Sequence, residues 1–82
     1  MIELFVAVAN RAAKDLGDDD TTVRADALKY FLGEKSNFVI TSKSYAVDYQ
    51  WIQEKVLEIA KEDGFRRKKL VENLIKNIKE YV

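Results

Sequence analysis

The stretch FRRKKLVENLIKNIKEY, residues 65–81, decides the fold that we predict for this chain. Its apolar residues Leu70, Leu74, Ile78 and Tyr81 recur every three or four positions, which places them on one face of an α-helix. Charged and amide side chains fill the opposite face. The segment therefore predicts an amphipathic helix, with Leu74 and Ile78 buried near the middle of its apolar stripe.

Three further helices are predicted upstream by the same spacing. They cover about residues 2–16, 22–33 and 46–62. The second is apolar on two sides, a pattern that is typical of a central helix packed between two neighbours. Each of the three is followed by a glycine, the residue that most often ends a helix.

The predicted helix ends carry their own signals. Gly17 follows the first helix at the position where a positive φ is common, so we expect it to adopt the left-handed conformation. Asp20 or Thr21 is expected to cap the second helix, and Asp48 to cap the third or to lie in its first turn.

The aspartates before the second helix were also considered as a calcium loop. Asp18, Asp20 and Thr22 have the 1, 3, 5 spacing of such a loop. However, the glycine required at position 6 is Val23, and the bidentate glutamate required at position 12 is Lys29. Capping is therefore the interpretation we adopt for this run.

Residues 36–41 are ambiguous. They contain strand-forming residues that could pair only with Leu4–Ala9, but Ser36 could equally cap a helix of one or two turns. We favour the short helix, followed by a polar turn at Ser42–Ser44. The predicted fold is accordingly all-α: a compact bundle of four helices plus one short helix, in a single domain covering residues 1–82.

The chain contains no histidine and no cysteine. The commonest general base, the commonest paired nucleophile and the usual transition-metal ligands are therefore missing together. Glu54, Glu58 and Glu62 form a row four residues apart, which is typical of a solvated helix face. No Walker loop or dinucleotide motif is present. We predict that the protein is not an enzyme and holds no cofactor or metal.

The apolar run at residues 4–9 is the only candidate for a targeting segment. It is short and lacks a basic residue before it, which argues against a signal peptide or a membrane span. With no cysteine for disulfides, we expect a cytoplasmic protein with no membrane partner.

The charges balance overall, with 14 basic and 14 acidic side chains, which argues against a protein devoted to the phosphate backbone. A weak helix-turn-helix pattern is nevertheless present, because a short helix and a turn precede the helix predicted from residue 46. Glutamines at the start of that helix could read bases, and basic residues could contact phosphates. The candidate nucleic-acid contacts are Lys43, Gln50, Gln53, Arg66, Arg67, Lys68 and Lys69.

Several large apolar residues point away from the main stripes. They exceed what a bundle of this size needs for its core, so some could form a surface for a partner or for a second copy. The candidate interface residues are Tyr30, Trp51, Leu57 and Tyr81.

Residues 2–60 resemble a loose group of small phage and prophage proteins. The resemblance rests on an Ala-rich first helix, on the aromatic pair Tyr30-Phe31, on Phe38, and on Asp48 followed by the core positions Ile52 and Val56. It implies a helical accessory protein of viral origin, and it implies no catalytic residues.

Two functions are consistent with these observations. The first is a non-catalytic protein-interaction module that binds either a protein partner or a second copy of itself, as a homodimer. The alternative is a small DNA-binding regulator of the helix-turn-helix type, for which the zero net charge is the main objection.

Overall fold

The computed structural model describes residues 2–80, and in this part of the chain it contains helices and no strands. The predicted all-α class is therefore confirmed, and the alternative strands at residues 4–9 and 37–41 are wrong. The helices are α1 (Ile2–Asp15), α2 (Thr21–Leu32), α3 (Asn37–Ser44), α4 (Gln50–Ala60) and α5 (Gly64–Lys79).

Two of the helices begin at predicted capping residues. The side chain of Asp20 accepts a hydrogen bond from the backbone N–H of Thr22 at 2.8 Å, which caps α2. The hydroxyl of Ser36 accepts one from the backbone N–H of Val39 at 3.4 Å, which caps α3. Each bond satisfies a donor that the first turn of a helix would otherwise leave without a partner.

The core lies between α1 and α5 and is closed by the other helices. The predicted burial of Leu74 and Ile78 is confirmed, since they are 2% and 0% exposed. Ala9 and Ala13 are fully buried on α1, and α5 is the helix that α1 contacts most extensively. The end of α1 faces the first half of α5, because Gly17 lies beside Val71, so the two helices run antiparallel.

Helix α2 contacts three other helices, α1, α3 and α4, as the apolar residues on two of its sides predict. Its buried residues are Ala27 and Phe31. Phe31 and Phe38 stack edge to face with ring centroids 5.0 Å apart, and Phe38 also stacks on Phe5 at 5.9 Å. This aromatic cluster joins α1, α2 and α3 at one end of the bundle.

The connection between α3 and α4 differs from the prediction. Residues 42–44 continue α3 instead of forming a turn, and α4 begins at Gln50 instead of residue 46. The cause is Ala46, which adopts a left-handed conformation with φ 56°. The backbone N–H groups of Ala46 and Val47 donate back to the carbonyls of Lys43 and Ser42, an arrangement that closes the end of a helix.

Asp48 is correspondingly not the cap of α4. The residue before the helix is Tyr49, whose side chain makes no capping bond. The carboxylate of Asp48 instead accepts a hydrogen bond from the backbone N–H of Gln50 at 3.3 Å.

The predicted positive φ of Gly17 is wrong. Among the described glycines only Gly64, the first residue of α5, has a positive φ, at 57°. Helix α1 ends in a tightened turn, in which the N–H of Gly17 donates to the carbonyl of Lys14 and the N–H of Asp18 donates to that of Asp15. Such a turn satisfies the last carbonyls without a left-handed residue.

None of the helices in residues 2–80 is both long enough and apolar enough to cross a membrane.

Candidate functional site

An open groove of about 270 Å³ lies at the N-terminal end of α1. One wall belongs to α1, the other to α3, and Tyr30 of α2 contributes between them. The lining residues are Leu4, Phe5, Val8, Tyr30, Asn37, Thr41 and Tyr45.

The apolar wall of the groove is exposed to solvent. Leu4 is 70% exposed and Val8 is 45% exposed, although both belong to a helix whose other side is fully buried. They lie four residues apart and therefore share a face, which is turned away from the stripe of Phe5 and Ala9. Helix α1 thus presents two apolar faces, and the core covers only one of them.

Aromatic rings support the groove from beneath. Phe5 is buried and contacts Tyr45, with ring centroids 6.1 Å apart, and Tyr30 contacts the buried Phe38 at 5.4 Å. Partial burial raises the pKa of the Tyr30 hydroxyl above its usual value, because desolvation disfavours the charged phenolate. The aromatic contacts tie the groove to the rigid core.

The opposite wall is polar. Asn37 and Thr41 lie four residues apart on α3 and bring an amide and a hydroxyl to the edge of the groove. Apart from the two tyrosines, the lining contains no ionisable side chain. The groove can therefore hold an apolar group and offer hydrogen bonds at its edge, but it offers no counter-charge.

The predicted interface residues are dispersed over the surface. Tyr30 lines the groove, whereas Trp51 is partly buried and packs against the core. Leu57 is 49% exposed on α4 and lines none of the cavities named here. Tyr81 lies outside the described residues.

The predicted base-reading residues do not form a recognition helix. Gln53 donates a hydrogen bond from its side-chain amide to the backbone carbonyl of Phe31 at 2.9 Å, so it holds α4 against the end of α2. Gln50 is exposed at the first position of α4. Lys43 lines a groove of about 350 Å³ together with Gln53. This groove separates α3 from α4, whereas the helices of a helix-turn-helix motif pack on each other.

The four consecutive basic residues, 66–69, do not form one shared surface. Arg66 forms an ion pair with Glu62 at 3.5 Å, and Arg67 turns inward so that its Nε atom is buried. Of these four residues, Lys68 and Lys69 are the ones that are exposed and form no ion pair within residues 2–80. This segment lies near the end of α4, about 15 Å from the start of that helix at a rise of 1.5 Å per residue. The structure therefore does not bring the basic segment together with Gln50.

Neither Leu4 nor Val8 is among the interface residues predicted from the sequence. The signal was present, because a four-residue spacing of apolar side chains on a second face of α1 predicts either a second packing partner or an exposed patch. Sequence spacing alone does not distinguish between the two.

No family model, no curated protein and no solved structure matches this chain. The resemblance to phage proteins stays a prediction from the residues. In residues 2–80 no group of three or more acidic side chains is placed to hold a metal ion.

Proposed function

We propose that this protein is a non-catalytic interaction module whose groove between α1 and α3 receives one large apolar side chain of a protein partner. The observation that carries the proposal is the exposure of Leu4 and Val8 beside an aromatic floor. An adapter of this kind fits the helical phage accessory proteins that the sequence resembles, and we place its action in the cytoplasm.

The energetics favour a partner that covers both residues. Complete burial of a leucine or valine side chain stabilises a complex by about 1.5–3 kcal/mol relative to leaving it exposed. Two such side chains next to an aromatic floor can therefore supply the central contact of an interface, where a few buried anchors contribute most of the binding free energy.

The size and charge of the groove indicate the kind of occupant. A volume of about 270 Å³ lies just below the range of sites for drug-sized molecules, which suits a single anchoring side chain. The lack of a charged lining residue argues against a charged metabolite. Asn37 and Thr41 can hydrogen-bond to the backbone on either side of an anchoring residue, so the occupant that we propose is a peptide segment.

Selection from a displayed library of random peptides tests this proposal. We expect the enriched peptides to share one large apolar or aromatic residue, and to bind a Val8→Glu variant at least about tenfold more weakly, since the substitution places a charge on the apolar wall. Leu57→Glu is the matched control, because Leu57 is about as exposed as Val8 and lies on another helix. Peptides that bind the Val8→Glu variant as well as the wild type would overturn the proposal.

A second copy of the chain is the other possible occupant. The side chain that it could supply is Phe65, which is 82% exposed at the start of α5. A protein that sediments as a dimer, and that returns to a monomer with either Val8→Glu or Phe65→Ser, would identify the partner as the protein itself. That result would overturn the proposal of a separate partner.

A further inference from the structure

A small cavity of about 60 Å³ lies at the other end of α1. Its apolar lining includes Leu16, Leu28 and Ile59, and its charged lining consists of Arg24, Glu62 and Arg67. Leu16 follows Leu4 by twelve residues, so this cavity lies about 18 Å along the helix direction from the apolar groove.

Arg67 lines this cavity from the first turns of α5. Residues 67, 71, 74 and 78 share one face of α5 by helical spacing, and the last three are buried in the core. The Nε atom of Arg67 is itself buried and has no hydrogen-bond partner in the described part of the chain. A buried donor of a charged group without a partner is strongly unfavourable, and native proteins rarely leave one.

The cavity also has an excess of positive charge. Arg24 donates to the backbone carbonyl of Asp18 from its Nη1 atom at 2.6 Å, and in residues 2–80 neither Arg24 nor Arg67 forms an ion pair. The carboxylate of Glu62 is the only acidic group in the lining, and it pairs with Arg66 instead. Two guanidinium groups therefore line one small space without a carboxylate bonded to either.

We propose that this cavity binds the phosphoryl group of phosphate or of a phosphomonoester between the guanidinium groups of Arg24 and Arg67. Guanidinium groups match phosphoryl oxygens in geometry and charge. A phosphoryl group has three strong acceptor oxygens and can therefore bond to arginines that reach it from two different helices. The volume suits a single oxyanion and excludes a nucleoside. This site is independent of the apolar groove and of the function proposed for it.

Phosphate binding can be observed directly at the side chain of Arg67. In ¹⁵N–¹H spectra of the full chain that detect arginine Nε–H groups, titration with inorganic phosphate should shift one signal saturably, and that signal should be missing in Arg67→Lys. Sodium acetate at equal ionic strength is the comparison anion. An unshifted Arg67 signal at millimolar phosphate, or an equal response to acetate, would overturn the proposal.

Variants separate a site from general charge attraction. Arg67→Lys keeps the charge but lacks Nε, so we expect calorimetry to show phosphate binding weakened by about tenfold. Glu62→Gln removes the competing carboxylate and should strengthen binding by a few-fold. Lys69→Gln removes one exposed positive charge outside the cavity and should leave the affinity within about twofold.

Comparing these two lysine and arginine variants distinguishes a specific site from attraction by net charge. If Lys69→Gln weakens binding as much as Arg67→Lys, phosphate is attracted only by net charge and the proposal fails. Circular dichroism checks that each variant is folded, and the wild-type Nε titration does not depend on any variant. Repeating the titration with O-phosphoserine distinguishes a phosphorylated ligand from free phosphate, because only a site open to esters binds both.

Discussion

The two ends of helix α1 depart from ordinary burial in opposite directions. At the N-terminal end, Leu4 and Val8 are apolar and exposed, whereas at the C-terminal end, beside Leu16, the charged donor of Arg67 is buried. Between them α1 carries the fully buried Ala9 and Ala13, together with Asn10, whose buried amide oxygen has no hydrogen-bond partner in residues 2–80. The comparison teaches that the two ends of α1 leave different groups for a second molecule to satisfy: exposed apolar side chains at the N-terminal end and a charged donor at the C-terminal end.

The neighbours of α1 account for this difference. The neighbour of the N-terminal end is α3, which has only eight residues. It does not cover the face of α1 that carries Leu4 and Val8. The other end faces the cavity lined by α2, α4 and α5, where Arg67 occupies a core-facing position. A short neighbouring helix leaves apolar side chains of α1 exposed, whereas at the other end helix spacing places Arg67 on the core-facing side of α5, where its Nε atom is buried.

The largest effect should come from the core on which both ends depend. Leu74→Ala should lower the free energy of unfolding by about 2–5 kcal/mol, because it leaves a cavity beside α1. Leu4→Ala is the matched control and should cost less than about 0.5 kcal/mol, since Leu4 is 70% exposed. Urea unfolding measures both. Equal losses would mean that Leu4 is covered in solution, which would break the comparison.

A smaller effect of opposite sign is expected at the charged end. In phosphate-free buffer, Arg67→Met should raise the free energy of unfolding by about 1 kcal/mol, because it removes a buried donor that has no partner. Added phosphate should stabilise the wild type by mass action and leave the variant unchanged. A clear loss of stability in Arg67→Met without phosphate would show that the guanidinium already stabilises the fold.

The next largest change in the free energy of unfolding is expected at the end of α3. Ala46 holds a left-handed φ of 56°, which glycine adopts without steric cost. Ala46→Gly should therefore stabilise the protein by about 0.5–1 kcal/mol in thermal or urea unfolding. Destabilisation would mean that residue 46 is not left-handed, and α4 would then have no reason to begin as late as Gln50.

The smallest effect concerns Tyr30 in the apolar groove. Its pKa is raised above 10.0 by burial, so the folded chain keeps this proton to a higher pH than the unfolded chain does. The resulting stability is fully present below the unfolded pKa and is lost as the pH rises through the folded pKa. Above pH 10.0, the wild type should lose stability more steeply than Tyr30→Phe. Parallel pH profiles would show that the groove does not desolvate this hydroxyl.

Helical spacing predicted the fold class and the centre of the core, as Leu74 and Ile78 show. Local hydrogen-bonding chemistry predicted the caps at Asp20 and Ser36, because those bonds form within three residues. The end of α3 was missed, since nothing local in Ala46 favours a left-handed backbone. Residue 46 is followed by Val47, which is buried in the core, a tertiary contact that local sequence does not reveal.

The candidate site was less predictable than the fold. Helical periodicity identifies Val8 as apolar, but only the length and position of α3 decide whether it is covered. Arg67 could have been recognised, because it precedes Val71 by four residues on the core face. The consecutive basic run instead suggested a shared surface, although residues that follow one another on a helix turn by about 100° each.

The DNA-binding alternative also depends on residues 66–69 sharing one exposed surface. With Arg66 paired to Glu62 and Arg67 turned inward, two exposed lysines are left to contact phosphates. We therefore expect no tight binding to duplex DNA at low salt, where electrostatic attraction is strongest. Tight binding that falls steeply with salt in an electrophoretic or anisotropy assay would restore the DNA-binding alternative.

The central claim is that the groove at Leu4 and Val8 accepts an apolar side chain. Titration with N-acetyl-tryptophanamide, which carries one such side chain between two peptide groups, tests this most directly in amide ¹⁵N–¹H spectra. The account predicts saturable shifts confined to residues around Leu4, Val8, Thr41 and Tyr45, which disappear in Val8→Glu and persist in Leu57→Glu. Shifts that centre on Leu57 or spread over the whole surface, or that survive in Val8→Glu, would contradict it.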